Sequence, residues 1–138
     1  MRTSEYKLTE AEIQKLQIIR RKIEELLDNS EAYKEIPCPK CNQKTKRNGS
    51  VNSTQRMRCT VCGHAFSINR REVLIKKMHL INAMLICTSI KEISLAIERP
   101  ERTTYYMVND ILEKMKKKED VYEIEKLAMY SAEWGIRL

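Results

Sequence analysis

Four of the five cysteines in this 138-residue chain fall in a pattern that carries chemistry. Cys38-Pro39-Lys40-Cys41 and Cys59-Thr60-Val61-Cys62 are two C-x-x-C pairs with seventeen residues between them. Each pair places two sulfurs on one side of a tight knuckle, and two knuckles supply four soft ligands for a tetrahedral Zn²⁺. Gly63 follows the second knuckle, where a positive φ suits the turn back into a strand. The intervening loop is rich in Lys, Arg and Asn and poor in apolar side chains, so a metal has to do the work of a core. Cys38, Cys41, Cys59 and Cys62 are therefore the expected ligands of one structural zinc. Four thiolates leave no open position for a reactive water, which excludes a catalytic metal.

Other readings of these cysteines fit less well. Disulfides belong to oxidising compartments, and no apolar leader precedes the knuckles. A redox dithiol needs one C-x-x-C inside a βαβ pattern, not two in a polar loop. His64 stands two residues past Cys62 and reads as a strand or surface residue beside an already complete set of four. Cys87, in Met-Leu-Ile-Cys, reads as a small buried hydrophobe. No Ser/His/Asp set and no phosphate-cradling glycine loop is present, so no catalytic residue and no small-molecule substrate is expected.

Charge carries the next signal. The chain has a net charge of +7, distributed unevenly. Residues 37–71 hold eight basic groups and no acidic one, whereas residues 119–138 hold two basic and five acidic. A cationic stretch of this kind suits a polyanion, with double-stranded DNA the leading partner. No apolar run is long enough to span a bilayer, which points to a cytoplasmic protein.

The elements that must position these groups are mostly helical. Thr9 and Glu12 form a capping box opening a helix over 8–28, with an apolar stripe at Ile13, Leu16, Ile19, Ile23, Leu26 and Leu27. Four of these fit a short coiled-coil seam, so the helix either packs on its own chain or pairs two copies. Between the knuckles, Lys44–Arg47 and Gln55–Arg58 read as strands turning at Asn48-Gly49-Ser50, and His64–Ile68 as a third, with Phe66 covering the knuckles. Lys44, Lys46, Arg47, Arg56 and Arg58 would decorate that ribbon and meet phosphates, joined by Arg70 and Arg71 just beyond it.

After the ribbon, Asn69 and Glu72 suggest a helix start, with Val73, Leu74, Met78, Ile81, Met84 and Leu85 inward. Ser89 and Glu92 open a short helix, Ile90–Ile97. Glu98-Arg99-Pro100 breaks it, and a longer helix follows from Glu101 to Lys116 with Thr104, Met107, Val108, Ile111 and Met115 inward. A short helix, a tight turn and a longer helix match either an ordinary αα-hairpin or a helix-turn-helix reader. The basic footprint favours the reader, in which Arg102, Thr103, Tyr106 and Asn109 meet base edges. A net-acidic amphipathic helix, Glu119–Trp134, closes the chain.

Cys38-Pro39-Lys40-Cys41, Asn48-Gly49 and the run Gln55 to Phe66 resemble the N-terminal zinc ribbon of insertion-sequence transposases. Ser89-Ile90-Lys91-Glu92-Ile93-Ser94 resembles the start of the helix-turn-helix that follows it there. The resemblance covers about residues 36–112 and agrees in order and spacing. Glu98 stands where that turn carries Gly, and Pro100 where it carries a capping Ser. The resemblance implies the same four zinc ligands and a DNA-reading third helix. The transposase catalytic domain, with its acidic triad, has no counterpart here. The expectation is thus a mobile-element or phage-type regulator or DNA-targeting subunit, not an enzyme. A zinc-ribbon adaptor docking on a polymerase or recombinase is the alternative.

The expected architecture is mostly α with a small β zinc ribbon and a helix-turn-helix bundle. Its segments are an N-terminal helix and linker (1–35), the ribbon (36–70), the helix-turn-helix (71–118) and a C-terminal helix (119–138). A homodimer through one of the terminal helices would be compatible with this plan.

Overall fold

The structure is a computed structural model and describes residues 6–29, 36–51 and 54–131. Among these are five helices and one three-stranded antiparallel sheet. In chain order they are α1 (Glu10–Asp28), β1 (Thr45–Val51), β2 (Thr54–Cys59), β3 (Ala65–Ile68), α2 (Arg71–Ile86), α3 (Ile90–Ile97), α4 (Glu101–Lys117) and α5 (Val121–Met129). None of the described helices is long and apolar enough to cross a membrane. Trp134, expected in the last helix, lies outside the described residues.

The capping box of α1 forms as its residues dictate. The Glu12 N–H donates to Thr9 Oγ1 at 3.2 Å and the Thr9 N–H donates to Glu12 Oε1 at 2.8 Å. Leu16, Ile19, Ile23 and Leu26, the four seam positions, are all buried within the chain, where α1 packs on α2 and α5. The first helix thus ties α5 to α2. Two long cations fix the helix termini around it. Lys15 Nζ donates to the carbonyls of Met115 and Lys118, each at 3.0 Å, satisfying the C-terminal end of α4. Arg71 Nη1 donates to the Leu27 carbonyl at 2.8 Å and does the same for α1.

In the sheet, β2 is central, flanked by β1 and β3. Asn48-Gly49 is not the hairpin turn. β1 runs on through it to Val51, and the register jumps from Arg47↔Met57 to Ser50↔Gln55, leaving two residues opposite Arg56. Gly49, at φ 78°, supplies the backbone freedom for this bulge. The turn-forming dipeptide bends the strand instead of reversing it. β1 is an outer strand of the sheet, whereas Ile68 at the other side is bridged to Tyr130 just past α5.

That bridge accounts for a second departure. Asn69 does not cap α2. It is buried, its Nδ2 donates to the Ala128 carbonyl at 2.8 Å, and its N–H donates to the Met129 carbonyl at 3.1 Å. Arg70 holds the N-cap position without a side-chain cap, because Asn69 is committed to the end of α5. The inward face of α2 also differs from expectation. Leu74, Ile81 and Met84 are buried as expected, but Lys77, Leu80 and Ala83 join them, while Val73, Met78 and Leu85 are half-buried.

The second cap is shared between neighbours. The Glu92 N–H donates to Ser89 Oγ at 3.1 Å, and the Glu92 carboxylate turns back to accept from the N–H and hydroxyl of Thr88 at 2.9 and 2.6 Å. α3 ends at Glu98, whose φ of 56° and ψ of 47° are left-handed, with the Arg99 N–H donating to the Ser94 carbonyl at 3.0 Å. Pro100 is the N-cap of α4 and offers it no side-chain hydrogen bond. Thr104, Met107, Val108, Ile111 and Met115 are all buried as the period requires. In α5, Ile124, Leu127, Ala128 and Met129 face inward, whereas Val121 is exposed.

Two measurable consequences follow from these placements. A non-glycine residue in the left-handed region costs about 1 kcal/mol, so Glu98→Gly should stabilise the fold by about 0.5–1 kcal/mol, read as a higher midpoint in urea unfolding. Lys77 is 1% exposed, and burial pushes its ammonium down to about 5, with Asp110 opposing and Lys114 on the same helix adding to the shift. Above that pH the unfolded chain binds a proton that the folded chain does not, so stability rises with pH until the ordinary lysine range. Lys77→Met should flatten that rise between about pH 6 and about pH 9, measured as unfolding free energy against pH.

Candidate metal centre

The two knuckles are built alike. After the first, the Asn42 N–H donates to the Cys38 carbonyl at 2.9 Å and the Cys38 N–H donates to the Gln43 carbonyl at 3.0 Å. After the second, the Cys59 N–H donates to the His64 carbonyl at 2.9 Å. The residue following each C-x-x-C is left-handed, Asn42 at φ 59° and Gly63 at φ 76°. Gly63 was legible in the sequence. Asn42 was not singled out, although Asn is the side chain that most readily visits this region. Thr60 ties the knuckles together, its N–H and hydroxyl both donating to the Lys44 carbonyl at 3.0 and 2.9 Å.

The result is a cluster of sulfurs. Cys38 and Cys62 Sγ lie 3.7 Å apart, Cys41 and Cys59 3.3 Å, and Cys41 and Cys62 3.7 Å. All four lie within 4.8 Å of one another. A tetrahedron with metal–sulfur bonds of about 2.3 Å has edges of about 3.8 Å, so the spacing fits one ion held by four thiolates. Backbone amides aim at the same sulfurs: the Lys40 N–H at Cys38, and the Val61 and Cys62 N–H groups at Cys59, each at 3.4 Å. Those amides, that of Cys62 first, lower the Cys59 thiol to about 6. The Cys41 thiol is instead pushed up to about 12, chiefly by the proton it shares with Cys59. A cation that replaces this proton meets a donor set already partly organised as thiolate. Cys38, Cys41, Cys59 and Cys62 can therefore hold one metal ion. With every position taken by protein, its contribution would be to hold the two knuckles together.

Cys38 and Cys59 are buried, Cys41 is half-buried and Cys62 is exposed, so the cluster lies near the protein surface. His64 is not part of it. Its ring stacks on Phe66 at 5.9 Å, and Phe66 in turn meets Tyr130 edge-on at 5.6 Å. Phe66 is thus held between the ribbon and the end of α5. Cys87 is half-buried rather than fully enclosed, and burial raises its thiol.

One group of supporting residues escaped the sequence reading. Tyr122, Lys126 and Tyr130 are spaced four apart and face the first knuckle together. Tyr122 Oη donates to Asn42 Oδ1 at 3.2 Å, Lys126 Nζ to the Pro39 carbonyl at 3.2 Å, and Tyr130 Oη to the Pro37 carbonyl. Lys126 also lies over the Tyr122 ring and pairs with Glu123 at 3.2 Å, an interaction that lowers the Glu123 carboxyl. The spacing was present in the sequence as a polar helical stripe, but nothing there said what it would face.

The other predicted site residues divide into two groups. Lys44, Lys46, Arg47 and Arg58 are exposed on the ribbon, and Arg102, Thr103 and Tyr106 are exposed near the start of α4. Arg56, Arg71 and Asn109 are less available or differently engaged. Arg56 Nη1 donates to Ser67 Oγ at 3.0 Å, Arg71 is tethered to α1, and Asn109 is half-buried. Arg70 is half-buried at the N-cap of α2. Tyr105, not singled out as a contact, meets Tyr106 edge-on at 5.6 Å. Comparison of the chain with protein-family models, with curated proteins and with solved structures finds no match.

Metal analysis of the purified chain should find one equivalent of bound metal, lost in Cys38→Ser and retained in His64→Ala. Cobalt substitution should give the visible bands of a tetrahedral tetrathiolate site in the wild type and in His64→Ala alike.

Proposed function

We propose that this chain is a DNA-binding protein whose ribbon carries one structural Zn²⁺ and whose α3–α4 pair serves as a helix-turn-helix. The observation that carries this reading is the uninterrupted cationic stretch. Residues 37–71 hold eight Lys and Arg and no Asp or Glu. Lys44, Lys46, Arg47 and Arg58 are exposed there, without a side-chain hydrogen bond or ion pair among the described residues. Cations kept clear of carboxylates retain their charge for an external anion, and duplex DNA offers about one phosphate charge per 1.7 Å of axis.

In this reading the ribbon supplies affinity and register through phosphates, and α4 supplies sequence preference from its first turns. Arg102, Thr103 and Tyr106 are exposed on those turns, while Thr104, Met107 and Val108 anchor the opposite face in the core. The similarity of the ribbon and the α3 start to insertion-sequence transposases supports the same assignment. It fits a regulator or targeting subunit of a mobile element that performs no chemistry itself.

A second reading has one observation in its favour. Val61, at the tip of the second knuckle, is 70% exposed, as expected of a ribbon that docks on another protein such as a polymerase or recombinase. A salt series separates the two, because phosphate contacts give a steep loss of affinity with salt.

Duplexes selected from a random pool provide the decisive substrate. On the selected site, Arg102→Ala should cost about 1–3 kcal/mol while binding to random duplex changes little. Arg47→Ala should weaken both equally and make the salt dependence shallower by about one unit of slope. Equal losses from both variants on both duplexes would remove the division of labour, and no duplex binding at low salt would remove the reading itself.

A further inference from the structure

A cleft of about 280 Å³ opens between α2, the end of α3, the α3–α4 turn and the inner face of α4. Its lining comprises two chemistries. Ile75, Leu80, Ile97 and Met107 form an apolar wall, and Lys76, His79 and Arg99 supply basic groups. Among the described residues no carboxylate lines it. Ile75, Lys76 and His79 lie within one turn of α2, so the helix itself juxtaposes an apolar and a cationic strip.

The basic groups are uncommitted. Among the described residues, none of the Lys76, His79 and Arg99 side chains has a hydrogen bond or ion pair, and Arg99 engages Ser94 only through its backbone N–H. The apolar wall is also incompletely covered. Leu80 and Met107 are 1% and 6% exposed at the back, whereas Ile75 is 47% exposed at the mouth. Burying that isoleucine and satisfying the cations calls for one ligand with an apolar body and an anionic end.

We propose that this cleft is a binding site for a small amphipathic anion, an aryl or alkyl carboxylate of roughly a dozen non-hydrogen atoms. The carboxylate meets Arg99, with Lys76 and His79 flanking it, and the apolar body lies along Ile75, Ile97 and Met107. A nucleic-acid phosphate would use the cations but leave the apolar wall wet. A purely apolar ligand would leave three basic groups without partners. Because the site joins α2, α3 and α4, its occupant touches all three helices at their common corner. The inference does not depend on DNA binding, and its test involves no nucleic acid.

The test is a titration of the full chain with 3-phenylpropionate, followed by NMR of the methyl groups of Ile75, Ile97 and Met107. Saturable shifts of these methyls are expected, with affinity at least tenfold greater than for 3-phenylpropionamide or inorganic phosphate. Arg99→Met and Lys76→Met, both at exposed positions, should each weaken binding severalfold while the remaining methyl spectrum stays that of the folded chain. Equal affinity for the amide would reduce the site to a greasy crevice, and equal affinity for phosphate to a plain anion patch. Unmoved methyls at millimolar ligand, or unchanged affinity in both variants, would also overturn the proposal.

Discussion

The approach of two cysteine knuckles to within a few ångströms is the constraint on which this molecule turns. The ribbon around them owns few apolar side chains, chiefly Ile36, Met57, Phe66 and Ile68, and the outer faces of its strands are polar. A sheet this small needs its apolar face covered, and Tyr130 at the end of α5 meets Phe66 there. A metal ion held by the four sulfurs would add a cross-link, and the left-handed residues Asn42 and Gly63 turn the chain so that the sulfurs converge.

The helical part completes what the sulfurs begin. α5 reaches the first knuckle through Tyr122, Lys126 and Tyr130, and its end is stitched to residues 68 and 69 of the ribbon. α1 then packs on both α2 and α5. Sequence-distant segments therefore support one another in series, ribbon to α5, α5 to α1 and α1 to α2, and the chain itself runs from β3 into α2. Separate modules with independent cores would not need these shared contacts.

Much of this was legible in the residues because local rules dominated. The C-x-x-C spacing named the four sulfurs, the Thr9–Glu12 box placed the start of α1, and the Ser89–Ile97 stretch gave the limits of α3. What was misread depended on distant partners. Asn69 looked like a cap until Ala128 and Met129 claimed it, and Asn48-Gly49 looked like a reversal until its neighbours continued pairing with β2. Lys77 reads as a surface residue by its charge, although the spacing of Leu74, Ile81 and Met84 puts it on the buried face, and it is enclosed with Asp110 and Lys114 as its charged neighbours. The stripe on α5 is of the same kind, visible as spacing but silent about its target.

The two sides of the small sheet differ in a way that bears on self-association. At β3, Tyr130 already occupies part of the outer hydrogen-bonding row. Among the described residues β1 is left as the side on which a further strand could add, and it carries Lys46 and Arg47 beside a bulge. A second copy arriving there would bring matching positive charge onto a bent ladder, so mutual templating is opposed by repulsion and misfit together. The positive charge along this edge thus acts as a guard against fibrous stacking of the protein upon itself.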